Sequence, residues 1–129
     1  MINTKLDKNA KKIDNFLINF LKKQKKTFLV TPMKYGVISG GKKIRSTIIF
    51  DTGKLLKLKE KSLIDICAAV ECIHSYSLIH DDLPCMDNDT MRRGKPSTHK
   101  KFGESTAVLA GNSLLTLAFE IISNTKNSL

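Results

Sequence analysis

Residues 80–94 limit the folds open to this chain more than any other stretch. Asp81, Asp82, Asp87 and Asp89 place four carboxylates within nine residues, and two arginines follow within four more. Carboxylates this close repel one another, so a fold that buries them must supply a cation. Hard carboxylate oxygens suit Mg²⁺, and neighbouring arginines suit phosphate oxygens. The stretch indicates a magnesium–diphosphate site, and the alternative is a solvated acidic loop beside unrelated basic residues.

The hydrophobic pattern along the chain is helical, and no strand alternation or internal repeat stands out. Residues 5–26 form an amphipathic helix, with apolar side chains at helical spacing: Ile13, Phe16, Leu17, Phe20 and Leu21. Further helices are expected over about 44–56, 62–80 and 105–123, with a break at Thr31-Pro32. The expected buried side of the third helix comprises Leu63, Ile66, Cys67, Val70, Ile73 and Ser77. The pattern predicts an all-α fold.

Helical geometry connects a histidine to the aspartates. Seven residues separate His74 from Asp81, so on an ideal helix they lie about 20° apart and roughly 10 Å along one face. A satisfied structural histidine explains His74 equally well. On a continuous helix Asp87 would lie about 120° away from Asp81. Pro84 disrupts a helix interior, so a turn there could bring the two carboxylates together.

A second informative stretch is Ser39-Gly40-Gly41-Lys42-Lys43-Ile44-Arg45. Two glycines before a helix let backbone N–H groups approach an anion closely. Lys42 and Arg45 are three residues apart and share one face of the first helical turn. The stretch fits a phosphate cradle or a plain loop-to-helix junction, and it lacks the spacing of a Walker A loop.

Composition narrows the function classes. Residues 1–61 carry a net charge of +12 and residues 62–129 carry −2, yet aromatic residues make up only 6% and tryptophan is absent, which disfavours nucleic-acid binding. The odd number of cysteines (Cys67, Cys72 and Cys85) predicts neither a disulfide framework nor a zinc site. The polar N-terminus lacks a signal-like segment, and the apolar run 107–122, at 16 residues, is short for a membrane span. We therefore expect a cytoplasmic protein without a membrane span.

Taken in order, these motifs resemble those of the trans-polyprenyl diphosphate synthases. The resemblance rests on Gly40–Arg45, on Glu71-Cys72-Ile73-His74, and on Asp81-Asp82-x4-Asp87 with Arg92-Arg93-Gly94. It extends through Lys101–Glu104 and Leu109–Gly111 and is greatest to the bacterial farnesyl diphosphate synthases. It implies the N-terminal part of an antiparallel helical bundle of the isoprenoid synthase type, found as a homodimer.

The resemblance also implies an activity and a role for each motif residue. The expected enzyme is a Mg²⁺-dependent, short-chain prenyltransferase that condenses isopentenyl diphosphate with dimethylallyl or geranyl diphosphate in isoprenoid biosynthesis. Asp81 and Asp87 would hold Mg²⁺, with a less certain contribution from Asp82. Arg92 would bind the allylic diphosphate. The residues implied for isopentenyl diphosphate are Lys42, Arg45, His74 and Arg93.

Product length has one candidate determinant. Tyr76 lies five residues before Asp81, roughly 7.5 Å along a helix. In the family, bulky residues just upstream of the first aspartate form the floor of the elongation pocket. An aromatic floor at this position resembles that of C15 producers, and a plain core aromatic is the alternative.

The sequence departs from the family pattern at several positions. Lys43 stands where the family usually has arginine, Ser46 where it usually has proline, and Asn112 where aspartate is common. No aspartate follows Asp89, so residues 1–129 contain the first aspartate-rich motif but not the second. We therefore expect a single, truncated synthase domain with little or no activity alone. The alternative is a non-catalytic remnant that binds diphosphate or dimerises as a half-bundle.

Overall fold

Six helices and one short hairpin make up residues 2–125, the part of the chain that the computed structural model describes. The helices are α1 (Ile2–Lys23), α2 (Val30–Val37), α3 (Ile44–Leu55), α4 (Glu60–Asp81), α5 (Thr98–Phe102) and α6 (Glu104–Ser123). The hairpin pairs β1 (Met91–Arg92) with β2 (Lys95–Pro96). The four predicted helices are present, and α2, α5 and the hairpin were not predicted.

Helix α1 follows its sequence pattern closely. Ile13, Leu17 and Leu21 lie at four-residue intervals and are fully buried, while Phe16 and Phe20 pack against the core from its edge. Two ion pairs fix the polar face of α1. Lys5 pairs with Asp51 of α3 at 2.7 Å, and Lys12 pairs with Glu60 at the start of α4. Helix α1 is thereby held against both α3 and α4.

Helix α4 is the centre of the structure and packs most extensively against α6 and then against α3. The α4–α6 interface is tight at Gly111, where a Cβ atom would lie 2.4 Å from Nε2 of His80. The buried side of α4 comprises Leu63, Cys67, Ala68, Ala69, Glu71, Cys72, Ser75 and Ile79. The predicted buried side was therefore partly wrong, since Ile73 is 40% exposed.

Two sequence expectations fail near α2 and α3. Pro32 does not break the chain but lies in the first turn of α2, where a proline removes no intrahelical hydrogen bond. On α3, the helical spacing of Ile44 and Ile48 predicts that they are buried, but both are exposed, and Ser46 and Phe50 are buried instead. Beside Phe50, the buried side of α3 carries the small residues Ser46 and Gly53, which allow close approach to α4 but give no hydrophobic period.

The free cysteines occupy two environments. Cys67 and Cys72 are fully buried on α4, and Cys85 is exposed in the turn that follows it. Burial raises the pKa of the Cys67 thiol and of the Cys72 thiol to about 12. The three cysteines form no disulfide, as the sequence predicts.

Candidate diphosphate and metal site

The aspartate motif forms the end of α4 and the turn that follows. Helix α4 ends at Asp81, and the backbone N–H of Asp87 donates to the Asp81 carbonyl at 2.8 Å. Leu83 reinforces the turn, because its carbonyl accepts from the N–H groups of Met86 and Asn88. The predicted turn at Pro84 is thus present, and it returns the backbone of residue 87 to the end of α4.

Asp82 forms an ion pair with an arginine of the hairpin. Its carboxylate is buried, and both oxygens accept from Arg92, with Nε at 2.8 Å and Nη2 at 2.7 Å. Such a two-point pair fixes both planar groups and is stronger than a single contact. The hydrogen bond to Asp82 raises the pKa of the Arg92 guanidinium, and nearby Asp89 and Asp81 raise it further.

Divalent metal could be held by the carboxylates of Asp81 and Asp87. Asp81 is half-buried and Asp87 is exposed, so both can be reached by a hydrated ion. Among residues 2–125, no group of three or more His, Cys, Asp or Glu side chains is arranged to hold a metal. Mg²⁺ fits this donor set, because it commonly takes one or two carboxylates and completes its shell with water and phosphate.

Four predicted anion-binding residues line one cavity of about 140 Å³. They are Lys42, Arg45, His74 and Arg93, and the other lining residues are Gly40, Lys43, Ile44 and Glu71. The four residues come from three distant segments: the loop and first turn of α3, the middle of α4, and the hairpin turn. Lys42, Arg45 and Arg93 can bind an anion through several charge-assisted hydrogen bonds.

Arg45 and His74 are adjacent across the α3–α4 interface. Nη1 of Arg45 lies 3.5 Å from Nε2 of His74. The pKa of His74 is lowered, first by burial and then by the positive charge of Arg45, with Arg93 and Arg92 adding to the effect. Glu71 acts in the opposite direction. A neutral His74 leaves a donor for a phosphate oxygen without adding repulsion to the cationic cavity.

Arg93 joins the hairpin to the glycine loop. Arg93 and Gly94 both have positive φ, which matches the two-residue turn of this hairpin. The guanidinium donates to Oγ of Ser39 at 3.1 Å and to the Gly40 carbonyl. Gly41 has φ +99°, and a Cβ atom there would lie 2.8 Å from Arg93 Nη1. Gly41 is therefore required both by its backbone conformation and by the close approach of Arg93.

A buried charged network lies behind this cavity and was not predicted. Lys43 has a left-handed backbone, and its Nζ lies 3.2 Å from Asp14 and 3.8 Å from Glu71. Ser46 Oγ donates to Glu71 at 2.7 Å. Nothing in the hydrophobic pattern signals this network, because its members come from α1, α3 and α4. A lysine and a glutamate in otherwise buried positions were the available clue.

Tyr76 lies near the aspartates, beside the α4–α6 interface. It is half-buried, packs against the core, and makes an edge-on ring contact with His80 at 4.7 Å. His80 in turn lies 3.1 Å, through Nε2, from the Val108 carbonyl of α6. The structure therefore places Tyr76 in contact with His80, the residue directly before Asp81.

Helices α4 and α6 are long and apolar enough to cross a membrane by length and composition. Core helices of soluble proteins meet the same criterion, and here the two helices pack against each other. At 20 residues α6 is longer than the 16-residue run considered from sequence.

Fold and site together define a class: an α-helical protein with a cationic cavity that includes Arg93 and an aspartate motif that pairs with the adjacent Arg92. Comparison with known proteins then gives the family. The polyprenyl synthetase family model matches residues 26–129. The chain is a member of the polyprenyl synthetase family.

Two curated relatives show how much of a family member the chain represents. It is 58% identical over 99 residues to the farnesyl diphosphate synthase of Buchnera aphidicola subsp. Acyrthosiphon pisum, covering 77% of this chain and 35% of that protein. It is 52% identical over 98 residues to the farnesyl diphosphate synthase of Escherichia coli, covering 76% and 33%. The chain thus spans about a third of the length of the relatives it matches.

Solved structures agree in fold. An FPP/GFPP synthase from Zymomonas mobilis matches with TM-score 0.89 and 43% identity, over 94% of this chain and 44% of that one. A geranyltranstransferase from Thermotoga maritima matches with TM-score 0.88 and 40% identity, over 95% and 46%. These matches confirm the predicted all-α fold of the isoprenoid synthase type.

Proposed function

We propose that this chain provides the diphosphate-binding part of a short-chain prenyl diphosphate synthase. The observation that carries the proposal is the shared cavity of Lys42, Arg45, His74 and Arg93. The substrates are isopentenyl diphosphate and an allylic diphosphate, either dimethylallyl or geranyl. The similarity to farnesyl diphosphate synthases and to a geranyltranstransferase supports this choice.

The cavity binds isopentenyl diphosphate, and its residues have distinct tasks. Lys42 and Arg93 supply charge, and Arg45 and His74 supply oriented donors on opposite walls. Because the donors are fixed before the substrate arrives, binding requires little reorganisation. The cavity therefore holds the diphosphate in place and leaves the isopentenyl double bond free to attack.

The aspartate turn binds the allylic diphosphate. Asp81 and Asp87 would hold Mg²⁺, and the bound ion would supply positive charge to offset the negative charge of the diphosphate. Asp82 orients Arg92, whose remaining N–H groups are then available to the diphosphate. Positive charge placed in this way favours ionisation to an allylic cation.

Three further features belong to the proposal. Tyr76 limits product length at the floor of the elongation pocket, and its contact with His80 holds its ring in place. The protein is cytoplasmic, consistent with free cysteines. It works as a homodimer, with residues 1–129 forming one domain.

Binding of inorganic diphosphate, measured by calorimetry with and without Mg²⁺, tests the two sites separately. Lys42→Met removes a charged donor, so we expect the Mg²⁺-independent affinity to fall about tenfold or more. Exposed Lys100 is a matched control, and Lys100→Met should leave the affinity unchanged. An equal loss in both variants would show that only net charge matters and would refute the cavity.

The metal site is tested by the Mg²⁺-dependent part of the same binding. Asp81→Asn and Asp87→Asn should each remove most of the affinity gained on adding Mg²⁺. Exposed Asp7 is the matched control, and Asp7→Asn should retain that gain. Full Mg²⁺ enhancement in both motif variants would show that these aspartates do not hold the metal.

A second candidate is a half-bundle that binds diphosphate without catalysis or that dimerises. The observation in its favour is the exposure of large apolar side chains on α4 and α6, including Ile73 (40%), Phe119 (66%) and Ile122 (47%). Turnover separates the candidates. Product from isopentenyl and geranyl diphosphate, lost in Asp81→Ala, supports the enzyme and would contradict the expected inactivity of residues 1–129 alone. Binding without product agrees with that inactivity and supports the second candidate.

A further inference from the structure

Lys43 belongs to the basic motif and is among the residues that line the cavity, but its ammonium group lies among oxygens of the protein. Its side chain is only 4% exposed. Three oxygens lie within 3.8 Å of its Nζ, one each from Asp14, Glu71 and the carbonyl of Val37. The Val37 carbonyl accepts a hydrogen bond at 3.5 Å, and the two carboxylates form ion pairs with the ammonium group.

Glu71 has a position that requires such a partner. Its carboxylate lines the cationic cavity, yet its side chain is only 6% exposed. An unpaired carboxylate there would be costly to bury and would repel a bound anion. Lys43, whose Nζ lies 3.8 Å from the Glu71 carboxylate, supplies the compensating positive charge.

Glu71 also connects the two walls of the cavity. It lies one helical turn before His74 on α4 and accepts from Ser46, the residue after Arg45 on α3. The two residues bound to Glu71 thus flank Arg45 in sequence, at positions 43 and 46. Their contacts fix the start of α3 against α4 where Nη1 of Arg45 lies 3.5 Å from Nε2 of His74.

We propose that Glu71 is a positioning residue for the diphosphate cavity. It accepts a hydrogen bond from Ser46 and so fixes the adjacent Arg45 in place. Lys43 is the counter-ion of the Glu71 carboxylate and not a diphosphate ligand. The inference rests on the proposed function for its ligand. The contacts that support the inference are made by Lys43 and Ser46, two positions at which this chain departs from the usual family pattern.

A double-mutant cycle with inorganic diphosphate as the probe tests the counter-ion role. Lys43→Met leaves Glu71 unpaired, so we expect affinity to fall about tenfold. Glu71→Gln keeps an acceptor for Ser46 and should change affinity less. The Lys43→Met/Glu71→Gln double variant removes both charges and should bind within about threefold of wild type.

The double variant decides the question even if Lys43→Met alone fails to fold. Because Asp14 also pairs with Lys43, Asp14→Asn is added to the double variant as a control. A folded double variant that binds at least tenfold more weakly than wild type, with or without Asp14→Asn, would show that diphosphate needs the Lys43 ammonium itself, which would overturn the proposal. Absence of binding by the wild-type chain would instead refute the cavity of the proposed function, and the counter-ion role with it.

The positioning role has a readout that needs no ligand. Ser46→Ala removes the hydrogen bond to Glu71 and should loosen Arg45 from His74. The His74 pKa, followed by NMR, should then rise toward its ordinary value because Arg45 lowers it in the native protein. The groups that act on His74 are Arg45, Glu71, Arg93 and Arg92.

A matched control separates positioning from general destabilisation. Ser97 is also buried and places its hydroxyl 3.1 Å from a histidine, His99, but it lies outside the cavity. Ser97→Ala should leave the His74 pKa and diphosphate affinity unchanged. An unchanged His74 pKa in a folded Ser46→Ala protein would overturn the positioning role, whatever its diphosphate affinity.

Discussion

Gly111→Ala should destabilise the protein, although alanine normally favours a helix over glycine. In an unobstructed helix interior this change stabilises by about 1 kcal/mol. Here the added Cβ would lie 2.4 Å from Nε2 and 2.6 Å from Cδ2 of His80. Ordinary contacts between such atoms exceed about 3.5 Å, so the ring must move by roughly 1 Å.

The structure gives the size of the effect. The His80 ring is fixed by the Val108 carbonyl at 3.1 Å and by the Tyr76 ring at 4.7 Å. Overpacking costs about 1–3 kcal/mol, and loss of the His80 hydrogen bond costs about 1 kcal/mol more. After subtracting the helical gain of about 1 kcal/mol, we expect a net loss of about 1–3 kcal/mol.

Urea unfolding followed by circular dichroism at 222 nm measures this loss. At about 4 °C per kcal/mol, a loss of 2 kcal/mol would also lower Tm by roughly 8 °C. Asn112→Ala is the matched control on the same helix, since Asn112 is exposed and should tolerate alanine. A Gly111→Ala protein as stable as wild type would refute the tight contact. In a His80→Ala background, Gly111→Ala should become neutral or stabilising by up to about 1 kcal/mol.

Three further predictions follow from the charges and thiols. Arg92→Met leaves the buried Asp82 carboxylate unpaired and should lower the free energy of unfolding by about 3 kcal/mol; a loss under 0.5 kcal/mol would contradict the pair. NMR titration should give His74 a pKa below its ordinary 6.5, and Arg45→Met should raise it. With a lowered His74 pKa, the unfolded chain binds more protons than the native protein at pH values up to 6.5. The free energy of unfolding should therefore rise with pH through this interval and fall as pH is lowered. The opposite pH slope in the difference in this free energy between wild type and His74→Gln would contradict the prediction. Of the three cysteines, only Cys85 should react quickly with a thiol reagent at pH 8, and the two buried thiols should react only after urea unfolding; three fast thiols would contradict their burial.

The sequence predicts the helices that bury one apolar stripe and misjudges those that do not. Helix α1 has a clean period, and its stripe is the one observed. Helix α3 buries Ser46 and Gly53, whose small size matters for contact with α4, so its exposed isoleucines dominate the apparent pattern. Helix α2 was missed because a proline in a first turn resembles a break.

The candidate site divides in a similar way. Residue chemistry and the family resemblance identify Lys42, Arg45, His74 and Arg93, and the structure places all four around one cavity. The buried charged network of Asp14, Lys43 and Glu71 could not be predicted, because ion pairs between positions so far apart leave no local sequence pattern. Arg92 differs from its neighbour, since it pairs with a carboxylate ten residues earlier instead of joining the cavity.

The residues that line the cavity lie far apart in the sequence, so the cavity forms only when the helices are correctly assembled. Arg93 contacts Ser39 and Gly40 across more than 50 residues, and Arg45 meets His74 across 29. A collapsed chain with its helices formed but its tertiary packing loose would keep its far-ultraviolet circular dichroism signal and lose these long-range contacts. Anion binding would therefore act as a conformational reporter, distinguishing a correctly assembled bundle from one that merely has the right helix content.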